Sequence, residues 1–335
     1  MGNRLRVLFL VVIFELFAFT SLTFSWSGHE SYTYLVVKSL NLELDKLVKI
    51  SPYTYNESRI YNTKYYYTDD FAGQRKFFDP LNDGNFPPDP APVDGKIPAW
   101  QILTIYAEFP DFGMDEELNL SPLQALIGNS QGVRHMRYKL GLIEAFEGDK
   151  SFLYFVDMSK QAFSKNDPYW GYRFLSYALH HIEDLFQPYH ETPGTFWEVL
   201  RSLFDKETKN LLNNAHYAYD NYLLFLIHYS KHSDEIRKII SNTPKRRIPS
   251  NYEALINEVM MYAYSRFSNV HGLIKNAMGD ILVERTPTID DFRRLEAQGK
   301  LDGLYAVTTE IVRVMTGTLK AFLDDYLSNR VKFEN

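Results

Sequence analysis

Three histidines and two carboxylates crowd one short stretch of this chain, His180-His181-Ile182-Glu183-Asp184-Leu185-Phe186-Gln187-Pro188-Tyr189-His190. The apolar run before it (Tyr172, Phe174, Leu175, Tyr177, Ala178, Leu179) has the period of a buried helix. On that helix His180 and Asp184 are one turn apart and share a face. Pro188 is expected to end the helix and turn His190 back toward the same face. Imidazole, carboxylate and imidazole converging within about two turns form a divalent-cation constellation, with zinc the first candidate. A His-x3-Asp pair alone is common on helices. The histidine after the proline makes this one more specific.

The same spacing recurs in Asn213-Asn214-Ala215-His216-Tyr217-Ala218-Tyr219-Asp220-Asn221-Tyr222, where His216 and Asp220 again stand one turn apart. Two such helices packed side by side would line one cavity with ligands from both. His181 lies about 100° around the helix from His180, which fits a core residue or a group supporting a ligand from behind. His228, His232 and His271 are expected to be ordinary surface or core histidines.

The elements that would position these groups are helical. Apolar residues recur at helical spacing in Tyr32–Leu44, Phe152–Phe163, Tyr169–Leu185, Phe196–Tyr229, Tyr252–Met278 and Gly303–Leu327. Strand signals are scarce and no internal repeat is visible. Residues 51–100 break the pattern with the run Tyr65-Tyr66-Tyr67 and with Pro87, Pro88, Pro90, Pro92 and Pro98, and read as an extended loop region. The expected fold is all-α, a single bundle-like domain over residues 26–330.

Composition narrows the chemistry. The 335 residues are 45% hydrophobic and 16% aromatic, enough for a substantial core, and contain no cysteine. Disulfides, thiolate metal sites and cysteine nucleophiles are therefore excluded, and any metal must sit on His, Asp, Glu or backbone. Residues 1–25 read as a signal peptide: Arg4 and Arg6, the apolar Val7–Phe24, then the small-residue end Thr23-Phe24-Ser25. Glu15 in the middle of the apolar stretch argues against a retained membrane anchor. Cleavage removes Arg4, Arg6 and Glu15 and moves the net charge from −6 to −7. A secreted or extracytoplasmic acidic protein of this kind is not expected to bind nucleic acid through a broad basic surface.

The ordered motifs resemble the superfamily that joins bacterial zinc-dependent phospholipase C with the fungal and plant single-strand-specific nucleases. The likeness runs from Trp26-Ser27-Gly28-His29, through the His-x3-Asp-x5-His of His180, Asp184 and His190 with its Gln187-Pro188-Tyr189-His190 wording, to His216 and Asp220. Such a resemblance implies up to three zinc ions. It assigns one to Asp111, His135, His180 and Asp184, and a second to His190, His216 and Asp220. The third falls to His29, the free amino end of Trp26 and Asp184 as a bridge. Asp115 is the alternative to Asp111.

The reaction implied is hydrolysis of phosphate esters by water ionised on the metals, with Asp111 as proton acceptor and no side-chain nucleophile. A small-molecule or lipid phosphodiester, as in a phospholipase C, is the expected substrate, with peripheral membrane contact and no obligate protein partner. A single-strand-specific nuclease or nucleotidase is the first alternative. A non-catalytic secreted metal-binding protein is the second.

Overall fold

A computed structural model describes residues 28–53, 86, 92–116, 118–122, 124, 128–140 and 143–330. The expected leader, Trp26 and most of residues 51–100 lie outside the described residues. Among those described, the chain forms twelve α-helices and two small two-stranded sheets in a single helical domain.

The first helix, α1 (His29–Lys38), begins after Gly28, whose φ of 101° is costly for any residue with a Cβ. It starts and ends earlier than the apolar period of Tyr32–Leu44 predicts. Strand β1 (Leu47–Lys49) pairs antiparallel with β2 (Lys96–Pro98), which leads into α2 (Ala99–Ile105). A 3-10 turn at Phe109–Phe112 follows, closed by Gly113 at φ 85°. Then come α3 (Gln131–His135) and an antiparallel hairpin of β3 (Tyr138–Leu140) and β4 (Ile143–Ala145).

Two helices of equal length, α4 (Gly148–Ser164) and α5 (Pro168–Asp184), pack as a hairpin at the centre of the domain. Asp167 caps α5 by accepting from the Trp170 amide at 3.3 Å, and Pro168 fills the first helical position. Close packing depends on Gly171: a Cβ there would lie 2.5 Å from the Phe163 ring. Phe152, Phe155, Phe174, Leu175, Leu179 and Ile182 are buried between these helices and their neighbours. Each such side chain contributes about 1.5–3 kcal/mol of apolar burial.

Beyond α5 the chain differs from the expected pattern in an instructive way. Helix α5 already ends at Asp184, and Pro188 does not stop it but opens α6 (Pro188–Glu191). The Gln187 side chain accepts from the Tyr189 amide and caps that turn. The single apolar run Phe196–Tyr229 divides into α7 (Phe196–Ser202) and α8 (Lys206–His228), because Asp205 caps the second segment by accepting from the Glu207 amide. Helices α9 (Ser233–Asn242), α10 (Tyr252–Glu284), α11 (Ile289–Ala297) and α12 (Asp302–Arg330) complete the domain. Helix α10 lies along α8 and α6, and α12 packs on α10, α9 and α1.

One buried cation ties the segment after α2 to α5. Arg173 lies 3.9 Å over the Tyr106 ring and donates to the hydroxyls of Tyr177 at 2.8 Å and Tyr169 at 3.2 Å. That places the Ala107 carbonyl and the Asp111 turn against the last two turns of α5.

Candidate metal centre

The end of α5 presents His180 and Asp184 inward, as the i, i+4 spacing predicts, with His180 Nε2 at 3.2 Å from Asp184 Oδ2. Helix α3 brings His135 to the same point, its Nδ1 at 3.0 Å from Asp184 Oδ2 and 3.1 Å from His180 Nε2. The turn after α2 adds Asp111, with Oδ1 at 3.5 Å from His135 Nδ1 and 3.7 Å from His180 Nε2. Four donors bound tetrahedrally to zinc at about 2.0–2.1 Å stand about 3.3 Å from one another. Five of the six edges of this quartet, at 3.0–3.7 Å, bracket that spacing.

Hydrogen bonds on the outer side fix which nitrogens face inward. His180 Nδ1–H donates to the Ala107 carbonyl at 2.7 Å, and a carbonyl can only accept. His135 Nε2–H donates to Asp115 Oδ2 at 2.8 Å, and Asp115 is in turn held by Arg134 at 2.9 Å. In the neutral rings the lone pairs of His180 Nε2 and His135 Nδ1 therefore point at each other and at two carboxylates. Such a set is repulsive without a cation, whether metal or proton. An imidazole anchored from behind by a carbonyl or carboxylate is the usual support of a metal ligand.

Asp111 and Asp115 grip the same ring from opposite sides. The 3-10 turn and the left-handed Gly113 send Asp111 toward Nδ1 of His135 and Asp115 toward Nε2. Asp111 is thus the carboxylate facing the cluster, and Asp115 supports it from behind. Gly148 sets the position of His135: a Cβ there would fall 2.9 Å from the His135 carbonyl group.

A second group consists of His190, His216 and Asp220. His216 Nε2 is 3.5 Å from Asp220 Oδ2, His190 Nε2 is 3.7 Å from Asp220 Oδ1, and the two imidazole centroids are 5.0 Å apart. Helices α6 and α8 do share one site. Gln187 Nε2 donates to Asp220 Oδ1 at 2.7 Å and orients the carboxylate. Both nitrogens of His190, Nε2 of His216 and Oδ2 of Asp220 are buried with no hydrogen-bond partner among the described residues. Polar atoms left in that state in a folded core point to a missing ligand.

A third group joins His29, Asp111 and His180. His29 Nδ1–H donates to Glu183 Oε2 at 2.6 Å, Glu183 accepts from Thr33 at 2.8 Å, and His29 Nε2 faces Asp184 Oδ1 at 3.3 Å. Asp184 therefore directs Oδ2 at His135 and His180, and Oδ1 at His29 and, at 3.6 Å, His190. All three groups meet on this one carboxylate. Trp26, the remaining residue singled out in the sequence, lies outside the described residues.

The electrostatics divide the centre in two. Burial lowers His29, but Asp184 and Glu183 more than offset it and raise the imidazole to about 10. Burial likewise opposes the charge on His135, yet Asp115 and Asp184 raise it to about 9. On the other side, burial lowers His190 to about 4, and burial with the nearby His190 charge holds His216 well below its usual value. Burial raises Asp220 and Asp111, whereas His180 and His190 hold Asp184 low against the effect of burial.

Several participants carry no signal in spacing alone: Glu183, Arg134, Gln131 and Gln187. Gln131 Nε2 donates to Asp111 Oδ1 at 2.8 Å. His271 is no isolated core histidine, since its Nδ1 meets the Tyr189 hydroxyl at 2.9 Å and its Nε2 meets Glu198 at 3.0 Å. His181, expected to be a core or supporting residue, has a ring nitrogen close enough to His135, His180 and Asp184 to form a metal-capable group with them, while its ring stacks on Phe155 at 5.5 Å and its Nε2 lies 3.9 Å from Asp115. His228 meets the Ser31 hydroxyl at 2.7 Å, and His232 stacks on Tyr305 at 4.0 Å. The chain finds no match among protein-family models or curated proteins.

Proposed function

We propose that this chain is a zinc-dependent phosphoric ester hydrolase of the phospholipase C type. The observation that carries the reading is the quartet Asp111, His135, His180 and Asp184, five of whose six edges lie at 3.0–3.7 Å and whose two imidazoles are held nitrogen-inward by outward hydrogen bonds. The donors are imidazole and carboxylate with no thiolate, a set suited to zinc. The two further groups support the three-ion arrangement found in the superfamily the sequence resembles.

Bound divalent cations would supply Lewis acidity, an ionised water near neutral pH and neutralisation of charge at phosphorus. The chain's own part is to hold and orient. Asp184 spans the groups through its two oxygens. Glu183, Asp115 and the Ala107 carbonyl fix the tautomers of His29, His135 and His180. Asp111 is the most open carboxylate of the centre, with 16% of its side chain exposed, and Gln131 holds its Oδ1. This carboxylate would be the proton acceptor for an attacking water. With a net charge of −6, the chain favours a lipid or small phosphodiester over a polyanionic strand.

The test is hydrolysis of a phosphatidylcholine micelle, single-stranded DNA and bis(p-nitrophenyl) phosphate, each with chelator and with zinc restored. Zinc-dependent turnover of the lipid and the generic diester is expected. Preference for the strand would move the assignment to the nuclease branch. Stoichiometric zinc with no turnover of any of the three would leave a metal-binding protein.

A further inference from the structure

One buried hydroxyl near the second group has no partner. Seven of the most deeply buried tyrosines among the described residues are Tyr32, Tyr106, Tyr138, Tyr169, Tyr177, Tyr189 and Tyr219. Six of them meet Thr316, Tyr169, Tyr106, Arg173, His271 or Thr308 through their hydroxyls. Tyr138 differs from these six, with no hydrogen-bond partner for its hydroxyl among the described residues. Leaving such a group unmade costs about 1–3 kcal/mol, so its persistence asks for a reason.

Its surroundings supply one. The ring is held among Val133, Met136, Phe146, Val199 and Leu212, with the Phe146 centroid at 5.0 Å. Leu212 lies one helical turn before His216 on α8. The amide of the next residue back, Arg137, donates to the His190 carbonyl at 2.9 Å. Strand β3 therefore runs beside His190, and both ring nitrogens of His190, Nε2 of His216, Oδ2 of Asp220 and Oε1 of Glu191 are likewise without a hydrogen-bond partner among the described residues. Burial, with the Asp220 charge close by, keeps the phenol protonated at any working pH. It can only donate to an incoming anion or accept from an incoming donor.

We propose that Tyr138 contacts the substrate, donating its hydroxyl to a non-bridging phosphoryl oxygen of an ester held at the His190, His216 and Asp220 group. This rests on the phosphate-ester reading. A neutral phenol adds a donor without adding charge to the cluster of cations. As phosphorus becomes five-coordinate, negative charge grows on that oxygen and the bond strengthens, so the contact favours the transition state.

The variant is Tyr138→Phe, which keeps the ring and its packing. Inorganic phosphate binding to the zinc-loaded protein, followed by calorimetry, should weaken about 10- to 100-fold, with kcat on bis(p-nitrophenyl) phosphate falling by a similar factor. Zinc content should be unchanged, and the melting temperature of the chelated protein equal to or above wild type. Unchanged phosphate affinity overturns the assignment. So does a lowered melting temperature in the chelated variant, which would mean that the hydroxyl serves the fold through a buried water. Phosphate binding by a wild-type protein that hydrolyses no ester would sink the hydrolase reading alone, because the phosphate comparison still decides the role of Tyr138. Failure of wild type to bind phosphate overturns both.

Discussion

Replacing Asp184 by Asn changes one charge at a fully buried position while conserving shape. The carboxylate faces four imidazole nitrogens, with Oδ2 at 3.0 Å from His135 and 3.2 Å from His180, and Oδ1 at 3.3 Å from His29 and 3.6 Å from His190. An amide offers one neutral oxygen and so can serve only one side. Removing one partner of a buried charged contact costs about 3–5 kcal/mol. Applied to a cation held by Asp184, that is about 10²–10⁴ in affinity. Zinc content after dialysis at micromolar free zinc, read by atomic emission, should drop by at least one ion per chain, and phosphodiester turnover should fall by a similar factor. In the chelated protein the carboxylate titrates below its ordinary value of 3.8, so its stabilisation is present above that pH and lost as pH falls. The chelated variant should therefore melt below wild type at pH 7, with the gap narrowing under pH 4. A full zinc complement with wild-type turnover would refute the bridging role.

Three further outcomes follow from the same geometry. Asp115→Asn leaves the buried Arg134 without its carboxylate and loosens the tautomer of His135, so zinc affinity should fall about 10–100-fold and the melting temperature should drop; unchanged zinc binding would exclude the supporting role. Gly148→Ala forces a Cβ to 2.9 Å from the His135 carbonyl group and should cost about 1–3 kcal/mol by denaturant unfolding, with loss of zinc from the quartet; a stabilised variant would mean that His135 is held some other way. In the chelated protein His29 and His135 titrate above the unfolded value of 6.5, so their stabilisation is full below that pH and is lost as pH rises through about 9 and 10. His190 titrates lower, so its contribution is lost as pH falls from 6.5 toward about 4. Thermal melts should show an optimum near pH 6.5 that zinc broadens on both sides, and a flat profile without zinc would contradict these shifts.

Much of this centre was legible because it is local. His180 with Asp184 and His216 with Asp220 are i, i+4 pairs, and that spacing needs only a helix to bring each pair together. The all-α fold was legible for the same reason, from the period of α5, α10 and α12. The supporting groups were not. Glu183 meets His29 and Thr33 from more than 150 and about 150 positions away along the chain, a pairing that only the packing of α1 on α5 creates. Asp111 and Asp115 are four residues apart and alike in type. The left-handed turn at Gly113, invisible to periodicity, sends them to opposite nitrogens of His135. The short helices α2, α3 and α6 escaped because four to seven residues give too few turns for a period to register. The break before α8 escaped because Phe204 continues the apolar pattern while Asp205 caps the next helix.

The most direct test of the central claim is anomalous diffraction at the zinc edge from crystals of the zinc-loaded chain. One peak is expected among Asp111, His135, His180 and Asp184, a second among His190, His216 and Asp220, and a third beside His29 and Asp184 Oδ1. A map without a peak between His135 Nδ1 and His180 Nε2 would contradict the account, because those two lone pairs would then be held together by a proton instead of a metal.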